Sequence, residues 1–223
     1  MQPQADPFIV PLCTDKIKIL YRDEHLLVIN KPTKLLTLSG KHPLNRDSVH
    51  FRLVQEFPTA TMVHRIDFGT SGILLVALNK QINALLGKQF QDRTVEKSYT
   101  AILAGHLEND SGSIEAAIAK DKPNFPLQKI CEETGKAALT RYQVIERNTH
   151  PSSTRVTFNP VSGRTHQLRI HSQSIGHSIL GCDLYAPDEV FHMAERLMLH
   201  ASDIEFEHPV TRQRFHQHCP AEF

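Results

Sequence analysis

His64-Arg65-Ile66-Asp67-Phe68-Gly69-Thr70-Ser71-Gly72-Ile73-Leu74-Leu75-Val76-Ala77-Leu78 is the stretch from which both the fold and the chemistry are read. Its second half, Ile73 to Leu78, is the longest apolar run in the chain. Bounded by Gly72 and Asn79, a run of this length suits a buried strand better than a helix. The first half crowds basic residues, a carboxylate, two hydroxyls and two glycines in front of it. Asp67 is therefore expected in a turn that feeds a sheet, where a side chain is held rigidly. Two readings of it stand side by side. It is a turn-forming aspartate helped by Thr70 and Ser71, or it is a functional carboxylate.

Working outward, Lys16 to Leu20 and Leu26 to Asn30 read as short strands, with Tyr21 to Glu24 as their turn. Lys31-Pro32 ends the second, because proline removes a ladder donor. Ser48 to Phe57 reads as a helix capped by Ser48, and Lys80 to Asp92 as an amphipathic helix with Ile82, Leu85, Leu86 and Phe90 inward. Ser98 to Ala104 is expected as a strand with Tyr99 and Thr100 on opposite faces. Ala138 to Glu146, Thr154 to Phe158, Leu197 to Phe206 and Gln213 to His218 are further strands, and Gln167 to Ile175 a helix ended by Gly176. Residues 107 to 135 read as an irregular surface insertion. Strands that follow one another without βαβ alternation imply an α+β fold with a mixed, largely antiparallel sheet and flanking helices and loops.

The composition excludes several classes. The chain has 223 residues, 40 % of them hydrophobic, and a formal charge of +1. Nucleic-acid binding then requires local clustering of cations, not a basic chain. The N-terminus lacks a basic segment followed by an apolar run, so no signal peptide is expected, and no run approaches a membrane span. The four cysteines form no CxxC pair and are expected to be reduced, in the cytoplasm. The Gly-Lys pairs at 40, 87 and 135 lack the preceding glycine of a phosphate loop, and Ser71 lacks the second glycine of a nucleophile elbow. His166, His171 and His177 are spaced five and six apart, which does not put two imidazoles on one helix face, so no metal site is expected.

A second dense stretch, Ser162-Gly163-Arg164-Thr165-His166-Gln167-Leu168-Arg169-Ile170-His171, holds cationic or titratable groups and no acid. Gly163 and Thr165 suit a turn into a helix start, where backbone N–H groups meet a phosphate. An ordinary solvated basic face is the other reading.

Five ordered segments together resemble the RluA-type pseudouridine synthases. They are Val28-Ile29-Asn30-Lys31-Pro32, His64 to Gly72, Lys97-Ser98-Tyr99, Gly163 to His171, and Arg196-Leu197-Met198-Leu199-His200-Ala201. The resemblance spans residues 28 to 201. It implies a pseudouridine synthase fold around a central RNA-binding cleft, and isomerisation of uridine in a stem-loop of 23S ribosomal RNA or tRNA without a cofactor. It makes Asp67 the nucleophile, Arg169 its paired guanidinium and Tyr99 the ring against the target base. Arg65 fills the space left by the flipped nucleotide, and Lys31, His64, Arg164 and His166 contact RNA. Four positions depart from the pattern. Thr33 and Lys34 stand where a variable residue and a glycine are usual, Ser178 replaces a proline and Cys182 an aspartate. These are expected to touch loop rigidity or substrate choice.

The resemblance further implies a single catalytic domain over residues 16–223 behind an N-terminal arm at 1–15, with no S4-type RNA-binding domain. It implies a monomer with no obligate protein partner and no membrane. A non-catalytic RNA-binding or ribosome-assembly module on the same fold is the competing reading. The intact set of Asp67, Tyr99 and Arg169 argues for the enzyme, because a pure binder has no use for a paired carboxylate.

Overall fold

The computed structural model describes residues 8–223. The chain divides into two compact units. One ends at Val95 and is resumed by Glu205–Cys219, and the other comprises Glu96–Ile204 and Pro220–Phe223. Of the expected N-terminal arm, residues 1–7 lie outside the described residues. Cys13 is buried in the first unit's core, and its carbonyl and that of Asp15 accept from the Arg52 guanidinium.

In the first unit, β1 (Lys18–Arg22) and β2 (Leu26–Lys31) form an antiparallel hairpin. Ser48 caps α1 (Val49–Leu53), its hydroxyl accepting from the Phe51 N–H at 3.0 Å. The helix is shorter than the spacing of Phe51, Val54 and Phe57 predicts, ending at Leu53 in a turn that buries Phe57. β3 (Thr61–Met62) and β2 both pair antiparallel with β4 (Ser71–Ala77). Every residue of β4 is buried, as its unbroken apolar run predicts. The register sets Lys31 opposite Gly72, so the end of β2 meets the end of the Asp67 segment. Asn79 caps α2 (Lys80–Gln91), whose Ile82 and Leu86 are buried. Leu27, Ile29, Leu35, Val49, Ile66, Leu74 and Val76 share one core.

In the second unit, β5 (Glu96–Ala104), β6 (Ser111–Glu115), β7 (Ile118–Lys120), β8 (Gln128–Ile130), β9 (Leu139–Thr149) and β10 (Ser152–Pro160) precede α3 (Gln167–Ser174) and α4 (Asp188–Phe191). β5, β10, β9 and β6 are neighbours in that order, each pairing antiparallel with the next. β7 and β8 form a separate two-stranded antiparallel sheet. The core gathers Ala101, Leu103, Ile114, Val156, Phe158, Leu168 and Ile170. β11 (Leu199–Glu207) follows, its last three residues belonging to the first unit, where β12 (Arg214–His218) pairs with it. The largely antiparallel α+β class is as the sequence implies. Among the described residues no helix is long and apolar enough to cross a membrane.

Residues 107–135 differ from expectation, because they hold three strands. The β6 segment Ser111-Gly112-Ser113-Ile114-Glu115 has one apolar side chain and no alternation to read. Its pairing with β9 makes it a strand, with Ile114 buried. A Cβ at Gly112 would meet the Tyr142 hydroxyl at 2.7 Å, so any larger residue there would have to push that side chain aside.

Asp23 ties the start of the first unit to its end. One carboxylate oxygen accepts from the backbone N–H groups of His25 (2.7 Å) and Leu26 (2.9 Å). The other meets the Tyr21 hydroxyl (3.0 Å) and His208 Nε2 (2.8 Å). Burial pushes its pKa up, but these donors outweigh burial and hold it below the usual carboxyl value of 3.8. The stabilisation is therefore present above that value and lost as pH falls through the lower, folded one. Asp23→Ala is expected to lower the urea midpoint by the equivalent of about 2 kcal/mol, with an unchanged slope. The difference from wild type should shrink under strong acid.

Candidate active site

Asp67 is half-buried and lies between buried Ile66 and the start of β4. The backbone around it is held carbonyl by carbonyl. The Thr37 hydroxyl donates to Ile66 O (2.8 Å), the Thr70 N–H to Asp67 O (3.1 Å), the Lys31 ammonium to Phe68 O (3.3 Å), and the Thr33 hydroxyl to Gly69 O (2.7 Å). Lys31 is fully buried, and its Nζ also donates to Pro32 O (2.9 Å) and Leu35 O (2.8 Å). Those three bonds use all three hydrogens of an ammonium. The loop after β2 thus clamps the turn, and the direction of the Asp67 side chain follows from a backbone with few ways to move.

Two residues expected to contact RNA have structural partners here. Lys31 is withdrawn from solvent with its ammonium on backbone carbonyls, where it positions the turn. His64 Nε2 accepts from the Leu75 N–H at 3.1 Å, and the ring stacks on Phe90 at 4.6 Å. It locks the motif onto β4 and α2. Arg65, by contrast, is exposed. Two of the departures from the family pattern also gain an explanation. Thr33 supplies the hydroxyl on Gly69. Lys34 adopts a left-handed φ of 57°, the conformation that favours the glycine usual there.

In the second unit, Gln167 organises the other motif. Its Oε1 accepts from the Ser162 hydroxyl (2.8 Å) and the Arg164 N–H (3.0 Å), while Nε2 donates to Leu139 O and Thr140 Oγ1, each at 3.0 Å. The amide is saturated, and the turn into α3 is pinned to β9. His166 stands before the helix with φ 55°, and its Nδ1 lies 2.7 Å from the Tyr185 hydroxyl. His171 is buried between Thr140 Oγ1 and Ala116 O, and burial pushes its pKa down. Arg164 is half-buried, with its guanidinium on Ala137 O.

Arg169 is only 4 % exposed. Its Nε donates to Cys182 Sγ at 3.3 Å, a terminal nitrogen pairs with the Asp183 carboxylate, and the guanidinium carbon lies 5.4 Å from the centre of the Tyr185 ring. The segment 182–185 therefore fixes the plane of the fork. Cys182 replaces the usual aspartate, and the carboxylate on Arg169 comes from the next residue. Gly181 makes this turn possible, with φ 69° and no room for a Cβ, which would meet Arg196 O at 1.9 Å. Tyr99, half-buried on β5 opposite Phe158, packs against the same core as Tyr185. Thr100, on the other face of the strand, bonds to Ser202 (2.6 Å). Lys97 borders Gly163, and burial lowers its pKa. Asp67 thus belongs to the first unit, and Tyr99 and Arg169 to the second. Thr37, Asp183 and Tyr185 carry no signal in the sequence that sets them apart from other loop residues.

A family model described as RNA pseudouridylate synthase matches residues 25–174. The dual-specificity RNA pseudouridine synthase RluA of Yersinia pestis is 47 % identical over 205 residues, covering 92 % of this chain and 99 % of that protein. The protein of the same name from Escherichia coli K12 is 40 % identical over 221 residues, 99 % of this chain and 97 % of its own. Among solved structures, human RNA pseudouridylate synthase domain containing 1 superposes with a TM-score of 0.80 at 29 % identity, covering 96 % of this chain and 86 % of that one. The chain belongs to the RNA pseudouridylate synthase family. It is an isomerase whose substrate is RNA.

Lys31→Met would leave the carbonyls of Pro32, Leu35 and Phe68 without the ammonium. A loss on the order of 3 kcal/mol is expected in urea unfolding, against less than about 0.5 kcal/mol for exposed Arg65→Ala. Equal, small effects from the two would show that the buried ammonium does not hold the turn.

Proposed function

We propose that this chain is a dual-specificity synthase converting uridine to pseudouridine in stem-loops of ribosomal RNA and tRNA, with Asp67 as its nucleophile. The relatives named dual-specificity enzymes match it over nearly their whole length. The observation that carries the nucleophile assignment is the fully held backbone of residues 66–69. A carboxylate that must meet one carbon of a sugar gains most from such fixing.

The reaction breaks the N1–C1′ bond and forms a C5–C1′ bond. The hydrogen on C5 leaves and N1 takes a proton, so atoms balance without metal, nucleotide or redox chemistry. An ionised carboxylate opens the sequence, by attack at C1′ or by removing a sugar proton to give a glycal. A guanidinium favours the ionised form of a carboxylate that it faces. We assign that role to Arg169, whose fork is held by Cys182, Asp183 and Tyr185. Tyr99 stacks on the uracil and serves the proton transfer at C5. The uridine must leave its stack at a cost of a few kcal/mol, and exposed Arg65 fills the gap. Arg164 and His166 meet the RNA backbone. The enzyme works in the cytoplasm as a monomer, without an obligate protein partner.

Tritium release tests this directly. Bulk tRNA and ribosomal RNA labelled with [5-³H]uridine, from cells lacking the protein, should lose tritium to water with the wild type. Asp67→Asn should slow release on the order of a thousandfold or more. Arg169→Lys keeps the charge but not the planar fork, so release should fall. No release by the wild type on either RNA overturns the substrate reading. Near-normal turnover by Asp67→Asn overturns the nucleophile.

A further inference from the structure

The β7–β8 sheet forms a finger with an unusual tip. Phe125 is 76 % exposed there, while Leu127, two residues on, packs against the core of its unit. No ring or cation stacks on Phe125 among the described residues. Its exposure is not the looseness of a floppy loop. Asp121 N–H donates to Leu127 O (3.0 Å), Asn124 N–H to Asp121 O (3.1 Å) and Leu127 N–H to Asn124 O (2.8 Å), and prolines 123 and 126 stiffen what those bonds close. A large apolar ring is held out to solvent on a rigid support, which costs hydration free energy unless something covers it.

Charge identifies the covering partner. Over residues 118–130, Lys120, Lys122 and Lys129 stand against Asp121 alone, a net charge of +2. All three ammonium groups are exposed, with no ion pair among the described residues. Asp121 is already engaged by the Asn124 amide at 2.9 Å. An aromatic ring flanked by free lysines suits a single-stranded nucleic acid, with bases stacking and phosphates neutralised. A protein partner of mainly apolar surface would not call for the lysines.

The finger is also tied to the Arg169 cluster. The Gln128 N–H, at the start of β8, donates to the Tyr185 hydroxyl at 2.9 Å. That hydroxyl meets His166, and the same ring lies beside the Arg169 guanidinium. Gln128 lies three positions after Phe125, so the tip stands at most about 11 Å along the chain from this anchor. RNA seated at His166 and Arg169 has its next nucleotides within reach of the tip.

We propose that the β7–β8 finger is a specificity element, in which Phe125 stacks on an unpaired base flanking the target uridine and Lys120 and Lys122 neutralise neighbouring phosphates. This rests on the uridine-isomerase reading for the identity of the RNA, but its test is separable. Tritium release from the labelled tRNA and ribosomal RNA gives kcat and KM, and fluorescence anisotropy gives the affinity for the same RNA. Phe125→Ala should raise KM and Kd about tenfold or more, the size of one base–ring stack, with kcat at saturating RNA unchanged. Phe125→Trp should restore wild-type KM, which a merely structural role would not require. Lys122→Ala should lower the slope of log affinity against log salt by roughly 0.7. The proposal is overturned if Phe125→Ala stays within twofold of wild type in KM and Kd, or if the Trp variant is as weak as the Ala variant. If wild type releases no tritium, the isomerase reading fails, and anisotropy still decides whether the ring binds RNA.

Discussion

A buried lysine ammonium bonded to three backbone carbonyls is the constraint on which the first unit depends. Lys31 ends β2, and the register with β4 brings it opposite Gly72, where the Asp67 turn closes. An ammonium in such a place is stable only if each hydrogen finds an acceptor, and Pro32, Leu35 and Phe68 supply them. The cost of burying the charge therefore enforces one conformation of two loops at once. Thr33 and Thr37 extend the same clamp with neutral donors.

The second unit solves a parallel problem with opposite chemistry. There the group to be fixed is the Arg169 guanidinium, and a sulfur, a carboxylate and an aromatic ring surround it. The Asp183 carboxylate is more exposed than its partner, so the pair keeps access to water on one side. The arginine is thereby oriented without the whole pair being sealed from solvent. Gln167, with every polar atom bonded, carries the adjoining turn.

Much of this was legible in the chain itself. The apolar run 73–78 predicts β4, and Ser48 and Asn79 each cap the helix that follows them. The five ordered segments predict the family that the comparisons show. The departures at Thr33, Lys34 and Cys182 were visible as departures, but not as a donor, a left-handed residue and a sulfur acceptor. That Lys31 is buried on backbone carbonyls and that His64 bonds to Leu75 and stacks on Phe90 was not legible from residue type. The polar segment 107–135 looked irregular for a similar reason. β6, β7 and β8 are made by pairing with partners and not by apolar alternation.

The sequence by itself determined the class of fold and the family. Those follow from local patterning and from residue types in order along the chain, which survive without coordinates. Only the tertiary structure decided which polar groups are spent inside the protein and which are offered outward. Lys31 and Lys122 are the same side chain, yet one is saturated by carbonyls in a dry interior and the other stands in water beside an exposed ring. That difference is set by partners distant in sequence, and burial, not residue type, fixes what a charge is free to do.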